Sequence, residues 1–341
     1  MAPYVSRIYV CWEGLPSRAN LGINSMSNRS FKALVSVLLL GLILLPTANA
    51  QPKSKKKKKG PPKPVLQTLR TTDRVLIQST YYAGTKGKQT VPIIMLHDFE
   101  GNRNDYHQLA LFLQRNGHAC LVPDLRGHGR SIRTQSGGTI ELKRMRRKHF
   151  EAMVLDVEAA KGFFMKEHNS GKVNIELLTV VGAGMGTVVG LKWSVRDWNA
   201  VPLPAFKQGQ DVKALILLSP RYNFKGVSTR VAMTHRAVAG KLFTAVIVGA
   251  RDKTSKEWRD AKRMHTTFKK RHPKLKGEAK ERPWAESVYL FKPDTALQGT
   301  RLIRPGLNLE GFLRGFLQQK VATLRPQFPW AIRRNPADDD E

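Results

Sequence analysis

The chain has 341 residues, 41% of them apolar, and a formal net charge of +32 from 58 Lys and Arg against 26 Asp and Glu. The apolar share is ample for the core of one large domain or two ordinary ones, and the charge favours anionic partners such as glycans, phospholipid headgroups or nucleic acid. No RNP, zinc-finger or basic-zipper pattern is present, so sequence-specific nucleic-acid binding is not expected.

Residues 1–50 carry +3 and 51–64 carry seven lysines, which leaves +22 on residues 65–341. The folded part is therefore basic in its own right; a solvated high-pI surface is the plainer reading of that charge. Residues 1–25 read as neither targeting signal nor fold, and suggest an over-extended start. From Met26 the pattern is that of a secretory signal peptide over 26–50: Arg29 and Lys32, an apolar run from Ala33 to Leu45, then Ala48-Asn49-Ala50 as a cleavage site. The apolar run is short for a bilayer span, so export with cleavage after Ala50 is preferred over an uncleaved membrane anchor. Residues 51–64 are Lys- and Pro-rich and read as an extended linker, either a tether to an anionic surface or a solvated spacer. Its lysines oppose the usual cytoplasmic bias of positive charge. Of the two cysteines, Cys11 falls in the segment expected to be absent, and one remaining thiol cannot form an internal disulfide. Cys120, in an apolar strand, reads as a buried inert thiol.

From Val65 strands and helices alternate. Strands are predicted over Arg74–Tyr82 (one or two, at an edge), Val91–Leu96, His118–Leu125, Ile175–Val181, Val212–Leu218, Phe243–Gly249 and Ser287–Phe291. Helices are predicted over Asp105–Asn116, a long basic stretch from Glu141 to Lys166, onward from the glycine turn through Trp198, Lys256–Lys270 and Leu309–Val321. Such alternation argues an α/β fold, a doubly wound, mostly parallel sheet with helices on both faces. The two dozen residues between Leu218 and Phe243 are too few for a sizeable lid. One domain over 65–330 and an acidic tail over 331–341 follow.

The stretch Leu178-Thr179-Val180-Val181-Gly182-Ala183-Gly184-Met185-Gly186 is a buried strand, a sharp turn and a helix start. It resembles the nucleophile elbow of the α/β-hydrolase superfamily, the serine esterases and lipases, with Gly184 at the nucleophile position. Three further pieces carry the resemblance across residues 74–322. Val91–Gly101 is similar to the strand and His-Gly loop that supplies an oxyanion donor. Asp124-Leu125-Arg126-Gly127-His128-Gly129-Arg130-Ser131 matches the signature after the next strand, and Val246–Asp252 the strand whose end bears the acid.

By that resemblance Gly184 takes the nucleophile slot, Asp252 the retained acid slot, and Gln298 the histidine slot, since no histidine follows His272. Serine–histidine–acid chemistry needs an activated hydroxyl and a cycling base, and glutamine cannot take a proton near neutral pH. The oxyanion-loop positions are His97, Asp98, Phe99 and Met185. Asp98 stands where the family has glycine, and with Glu100 it would oppose developing negative charge. The backbone N–H groups of Met185 and Phe99 remain able to face the pocket. Glycine at the elbow also relieves the strain that a side chain bears there.

Ser131 and Ser219 read as turn or cap serines and His97 and His128 as loop residues; Trp193 and Trp198 read as packing. No metal cluster or cofactor is expected. Arg144, Arg146, Arg147 and Lys148 form a basic patch, a candidate anion-docking surface or simply a solvated helix face. Three functions are consistent with these residues. The first is an exported, catalytically degenerate α/β-hydrolase-fold protein that binds a small ligand or protein partner. The second is an active esterase or lipase with an unorthodox nucleophile. The third is a basic protein that binds polyanions or anionic surfaces.

Overall fold

A computed structural model describes residues 60–333 apart from 202, 204–206, 281 and 283. Residues 1–25 and 26–50, expected as an over-extended start and a signal peptide, lie outside the described residues, as do most of the Lys-rich linker and residues 334–341.

Eleven strands occur among the described residues: β1 Val65–Arg70, β2 Val75–Tyr82, β3 Pro92–Leu96, β4 Ala119–Pro123, β5 Arg133–Thr134, β6 Leu178–Ala183, β7 Val212–Leu218, β8 Asn223–Phe224, β9 Val227–Ser228, β10 Phe243–Ile247 and β11 Val288–Phe291. The main sheet runs β1-β2-β4-β3-β6-β7-β10-β11, with β5 paired to β2. β2 is antiparallel to β1 and β4, and the pairs from β4 through β11 are parallel. Strands β3, β4, β6 and β7 are buried throughout, as expected where helices cover both faces of a parallel sheet. Core residues divide between the faces: Ile94, Leu96, Val180 and Leu215 pack on one side, Ile93, Met95, Val181 and Ile216 on the other.

The helices are α1 His107–Arg115, α2 Arg147–Glu151, α3 Val154–Asn169, α4 Met185–Trp198, α5 Arg230–Thr234, α6 Arg236–Gly240, α7 Lys256–Arg271 and α8 Leu309–Phe316. The doubly wound, mostly parallel α/β architecture expected from the sequence is the one observed, and the stretch between β7 and β10 holds only the β8–β9 hairpin and the two short helices α5 and α6. Several details differ. The edge strand β1 was not foreseen; only Leu69 of its six residues is buried, so its alternation is faint. The long basic helix is broken into α2 and α3 around Ala152 and Met153. Phe150 and Met153 both turn into the core there, and Asp156 is drawn in to Arg126. Residues Ile175–Leu177 form a 3-10 turn, because the Asn174 side chain accepts the Glu176 N–H and delays the strand. The last helix ends at Phe316 and continues as a wider turn to Val321. Residues 331–333 belong with the domain: His168 Nε2 lies 2.8 Å from the Ala331 carbonyl, and Arg333 pairs with Asp211 at 2.5 Å.

The parallel register brings one set of strand ends together. Leu96 pairs with Gly182, Ala183 with Leu218, and Leu218 with Ile247. The residues that follow β3, β6, β7 and β10 therefore converge at one sheet edge, where ligands bind in open α/β sheets.

Candidate functional site

The elbow is built as the sequence implied. Gly184 has φ +46° and ψ −108°, angles a side chain resists, and α4 starts at once from Met185. A Cβ on Gly186 would fall 2.2 Å from the Leu96 carbonyl oxygen, so the helix crosses β3 at a distance only glycine permits.

The loop after β3 is held by His97, which is fully buried. Its Nε2 accepts the Leu125 N–H at 2.9 Å, and its Nδ1 lies 2.7 Å from the Asp98 carbonyl oxygen, to which it donates. Burial pushes the His97 imidazole down to about 4, so it is neutral and serves as a brace. From that loop the Asp98 side chain turns back over the elbow. Its Oδ1 accepts the Phe99 N–H at 2.7 Å and the Met185 N–H at 2.7 Å. In an active serine hydrolase these two donors, one after the nucleophile and one from the β3 loop, form the oxyanion hole. Here a carboxylate of the same chain fills it. A Cβ on Gly184 would lie 2.1 Å from Asp98 Cγ and from both carboxylate oxygens. Asp98 thus also occupies the space that a side chain at position 184 would take. Its Oδ2 faces Arg221 Nη2 at 3.9 Å, a distant ion pair on a partly exposed wall.

Gln298 is brought to the site, but as a strap. Its Oε1 accepts from Ser219 Oγ at 2.6 Å and from the Gly249 N–H at 3.3 Å, and its Nε2 donates to the Gly249 carbonyl at 3.1 Å. Ser219 Oγ in turn accepts the Gly299 N–H at 2.8 Å. Ser219 is buried with φ +44°, and lies in the site without a base beside it. The sequence around it implies only a turn or cap; its contact with Gln298 and Gly299 depends on loops far apart in sequence. Arg221 was missed as well, its only signal being its place just beyond the Ser-Pro strand end.

Asp252 needs a correction. Expected as the retained acid, it is fully exposed, and its Oδ1 accepts the Thr254 N–H at 2.8 Å and the Thr254 hydroxyl at 2.7 Å. The Thr254 hydrogen bonds hold its carboxyl below the usual range. With no imidazole to orient, the carboxylate closes its own turn ahead of α7.

The signature after β4 is structural. Asp124 accepts the Arg103 N–H at 2.7 Å and the Arg130 N–H at 2.9 Å. Arg126 Nε donates to the buried Asp156 at 2.8 Å, and Ser131 Oγ accepts the Gln78 N–H at 2.8 Å. His128 packs 4.9 Å from the His97 ring, as a loop residue. Arg144 and Arg147 form exposed ion pairs with Glu141 (3.0 Å) and Glu151 (2.9 Å), while Arg146 and Lys148 are exposed; none of the four lines the site. Cys120 is buried, and burial raises its thiol pKa well above the ordinary value. Among the described residues no group of three or more His, Cys, Asp or Glu could hold a metal ion, and no helix is long and apolar enough to cross a membrane.

Above the plugged elbow lies a hollow of about 600 Å³. Asp98, Glu100, Asp105 and Glu257 line it together with Arg221 and Arg301. A family model described as serine aminopeptidase, S33, matches residues 87–290. The chain belongs to that family. Solved structures agree on the fold. An esterase of Pyrococcus furiosus is 16% identical with a TM-score of 0.54, over 76% of this chain and 92% of that one. A dienelactone hydrolase from Anabaena variabilis is 15% identical with a TM-score of 0.52, over 76% and 99%. DcsB, in complex with its substrate analogue, is 14% identical with a TM-score of 0.55, over 76% and 100%. No curated protein sequence matches the chain. As a member of the S33 family, the chain keeps the sheet, the elbow turn and both oxyanion donors, and offers those donors an internal anion.

Proposed function

We propose that this S33 family member is a non-catalytic α/β-hydrolase-fold protein, exported after cleavage near Ala50, that works by binding a small ligand or a protein partner. The single observation that supports the loss of catalysis is the Asp98 carboxylate, which accepts both oxyanion-hole N–H groups above a Gly184 that has no side chain. Gln298 in the base position is tied to Gly249 and cannot cycle a proton. The hollow lined by Arg221, Arg301 and the carboxylates is open for a ligand with polar groups. Export rests on the Met26–Ala50 pattern alone.

An active hydrolase would have to use Ser219, the strained and buried serine of the site. The experiment is fluorophosphonate labelling with a short-chain ester assay on the full chain. The expected result is no labelled serine and no turnover, in line with the roughly 10⁶-fold loss that removal of a nucleophile causes. Labelling of Ser219, abolished by Ser219→Ala, would overturn the proposal. A gain of ester cleavage is expected only when Asp98→Gly, Gly184→Ser and Gln298→His are combined.

A further inference from the structure

The helix α7 sorts its charges. Ala261, Met264 and Phe268, spaced three and four residues apart, face the core and are fully buried. Its acids are turned away from the outer face: Glu257 lines the hollow above the elbow, and Asp260 accepts the Tyr222 N–H at 3.1 Å. The cations are left outside, in two concavities that share Thr266. One, of about 500 Å³, is lined by Lys253, Arg259, Lys262 and Arg263. The other, of about 480 Å³, is lined by Lys269, Lys270, Lys274 and Lys280, over a floor that includes Pro273, Leu275 and Val288. Glu286, paired with Lys269 at 2.8 Å, is the single carboxylate lining either concavity among the described residues. At 1.5 Å per residue the helix gives the track a length of roughly 24 Å.

We infer that this track is a binding site for a linear acidic polysaccharide, with its carboxylates or sulfates on the lysine and arginine rows and its sugar C–H faces on the exposed Pro273 and Leu275. Charge complementarity requires a polyanion. The hollow lined by Lys269, Lys270, Lys274 and Lys280 disfavours a bilayer, which is flat on this scale. Single-stranded nucleic acid needs successive stacking platforms. Among the described residues Trp258 is the one Trp, Phe or Tyr lining the two concavities, and it packs against the core. A bare polyphosphate would leave the apolar floor without a partner. The inference is independent of whether the elbow is catalytic.

The test uses the full chain and a fluorescent heparin oligosaccharide, titrated by anisotropy across a salt series. Replacing Lys262, Lys269, Lys270 and Lys274 together by Gln is expected to weaken binding by at least about tenfold. It should also flatten the salt dependence, since fewer counterions are released. A charge-matched variant with Arg115, Lys143, Lys166 and Lys172 changed to Gln keeps the track and should stay within about twofold of the parent. All eight positions are exposed, and a thermal melt of each variant checks the fold. Equal losses in the two variants would mean that net charge alone drives binding, and would overturn the site. Tighter binding of a single-stranded oligonucleotide, inorganic polyphosphate or phosphatidylglycerol vesicles than of heparin at the same salt would overturn the ligand class.

Discussion

Restoring the elbow serine alone should damage the protein. A Cβ at position 184 falls 2.1 Å from three atoms of the Asp98 carboxylate, so the carboxylate must leave the oxyanion hole. It then gives up two charge-assisted hydrogen bonds at 2.7 Å; with water replacing part of them, the loss is about 1.5–3 kcal/mol. The serine must also adopt φ +46°, which adds about 1–3 kcal/mol of backbone strain. Gly184→Ser is therefore expected to cost about 2.5–6 kcal/mol. Asp98→Ala loses only the hydrogen bonds, about 1.5–3 kcal/mol. In the double variant those bonds are lost once, not twice. The double should be more stable than the sum of the singles predicts, by about 1.5–3 kcal/mol. Urea unfolding of the four proteins at neutral pH, followed by circular dichroism, measures this coupling if the slopes agree. Additivity within about 0.5 kcal/mol would show that Asp98 and residue 184 do not compete for one space.

Two further outcomes follow from buried charges. Lys161 Nζ lies 2.7 Å from Asp197 and 3.0 Å from Asp211, whose side chains are both fully buried. Lys161→Met strips those carboxylates of their shared cation and should cost about 3–5 kcal/mol; an unchanged urea midpoint would refute the pairing. His97 and His118 are each pushed down by burial from the ordinary 6.5 to about 4. Between those values the unfolded chain binds more protons than the folded one, so their contribution is full above pH 6.5 and is lost as pH falls toward 4. Asp156 acts in the opposite sense: burial, partly offset by Arg126, raises it from 3.8 to about 6, so its contribution declines as pH rises through that window. Comparing His118→Gln with the parent isolates one histidine. Its stability curve should be flatter between pH 4 and 6.5, and an identical slope would count against the shift.

What could be read before the structure was the part carried by continuous runs and by order along the chain. Val212–Leu218 is apolar without interruption, apart from Lys213, because both faces of a parallel strand are covered, and it is the strand observed. The elbow was legible from three alternate glycines, each demanded by backbone angle or close approach. Illegible were features set by pairing across long separations. β1 shows one buried residue, so its strand character comes from its pairing with β2. Nothing near Asp252 tells whether it faces the sheet edge or its own Thr254. The acidic run at the end of the chain implies a frayed tail beyond residue 330, yet Arg333 reaches Asp211 across 122 residues. Asp98 stood out as a misplaced carboxylate, while its position in the hole depends on a side-chain direction that no local pattern encodes.

Asp98 and Gly184 make sense only as a pair. With a side chain at 184 the Asp98 carboxylate has no room; with glycine there and no carboxylate, two inward N–H groups lack a fixed acceptor. A substrate oxygen entering this hole would compete with an acceptor tethered to the adjacent backbone and never more than a bond rotation away. Such a tethered ligand has a high effective concentration and needs no ordering on arrival. Supplying a nucleophile and a base alone therefore leaves the transition-state oxygen unpaired, and removal of Asp98 has to accompany them. The same bonds that fill the hole also join the β3 loop to the start of α4, which gives the chain a physical reason to keep the elbow turn whether or not it catalyses.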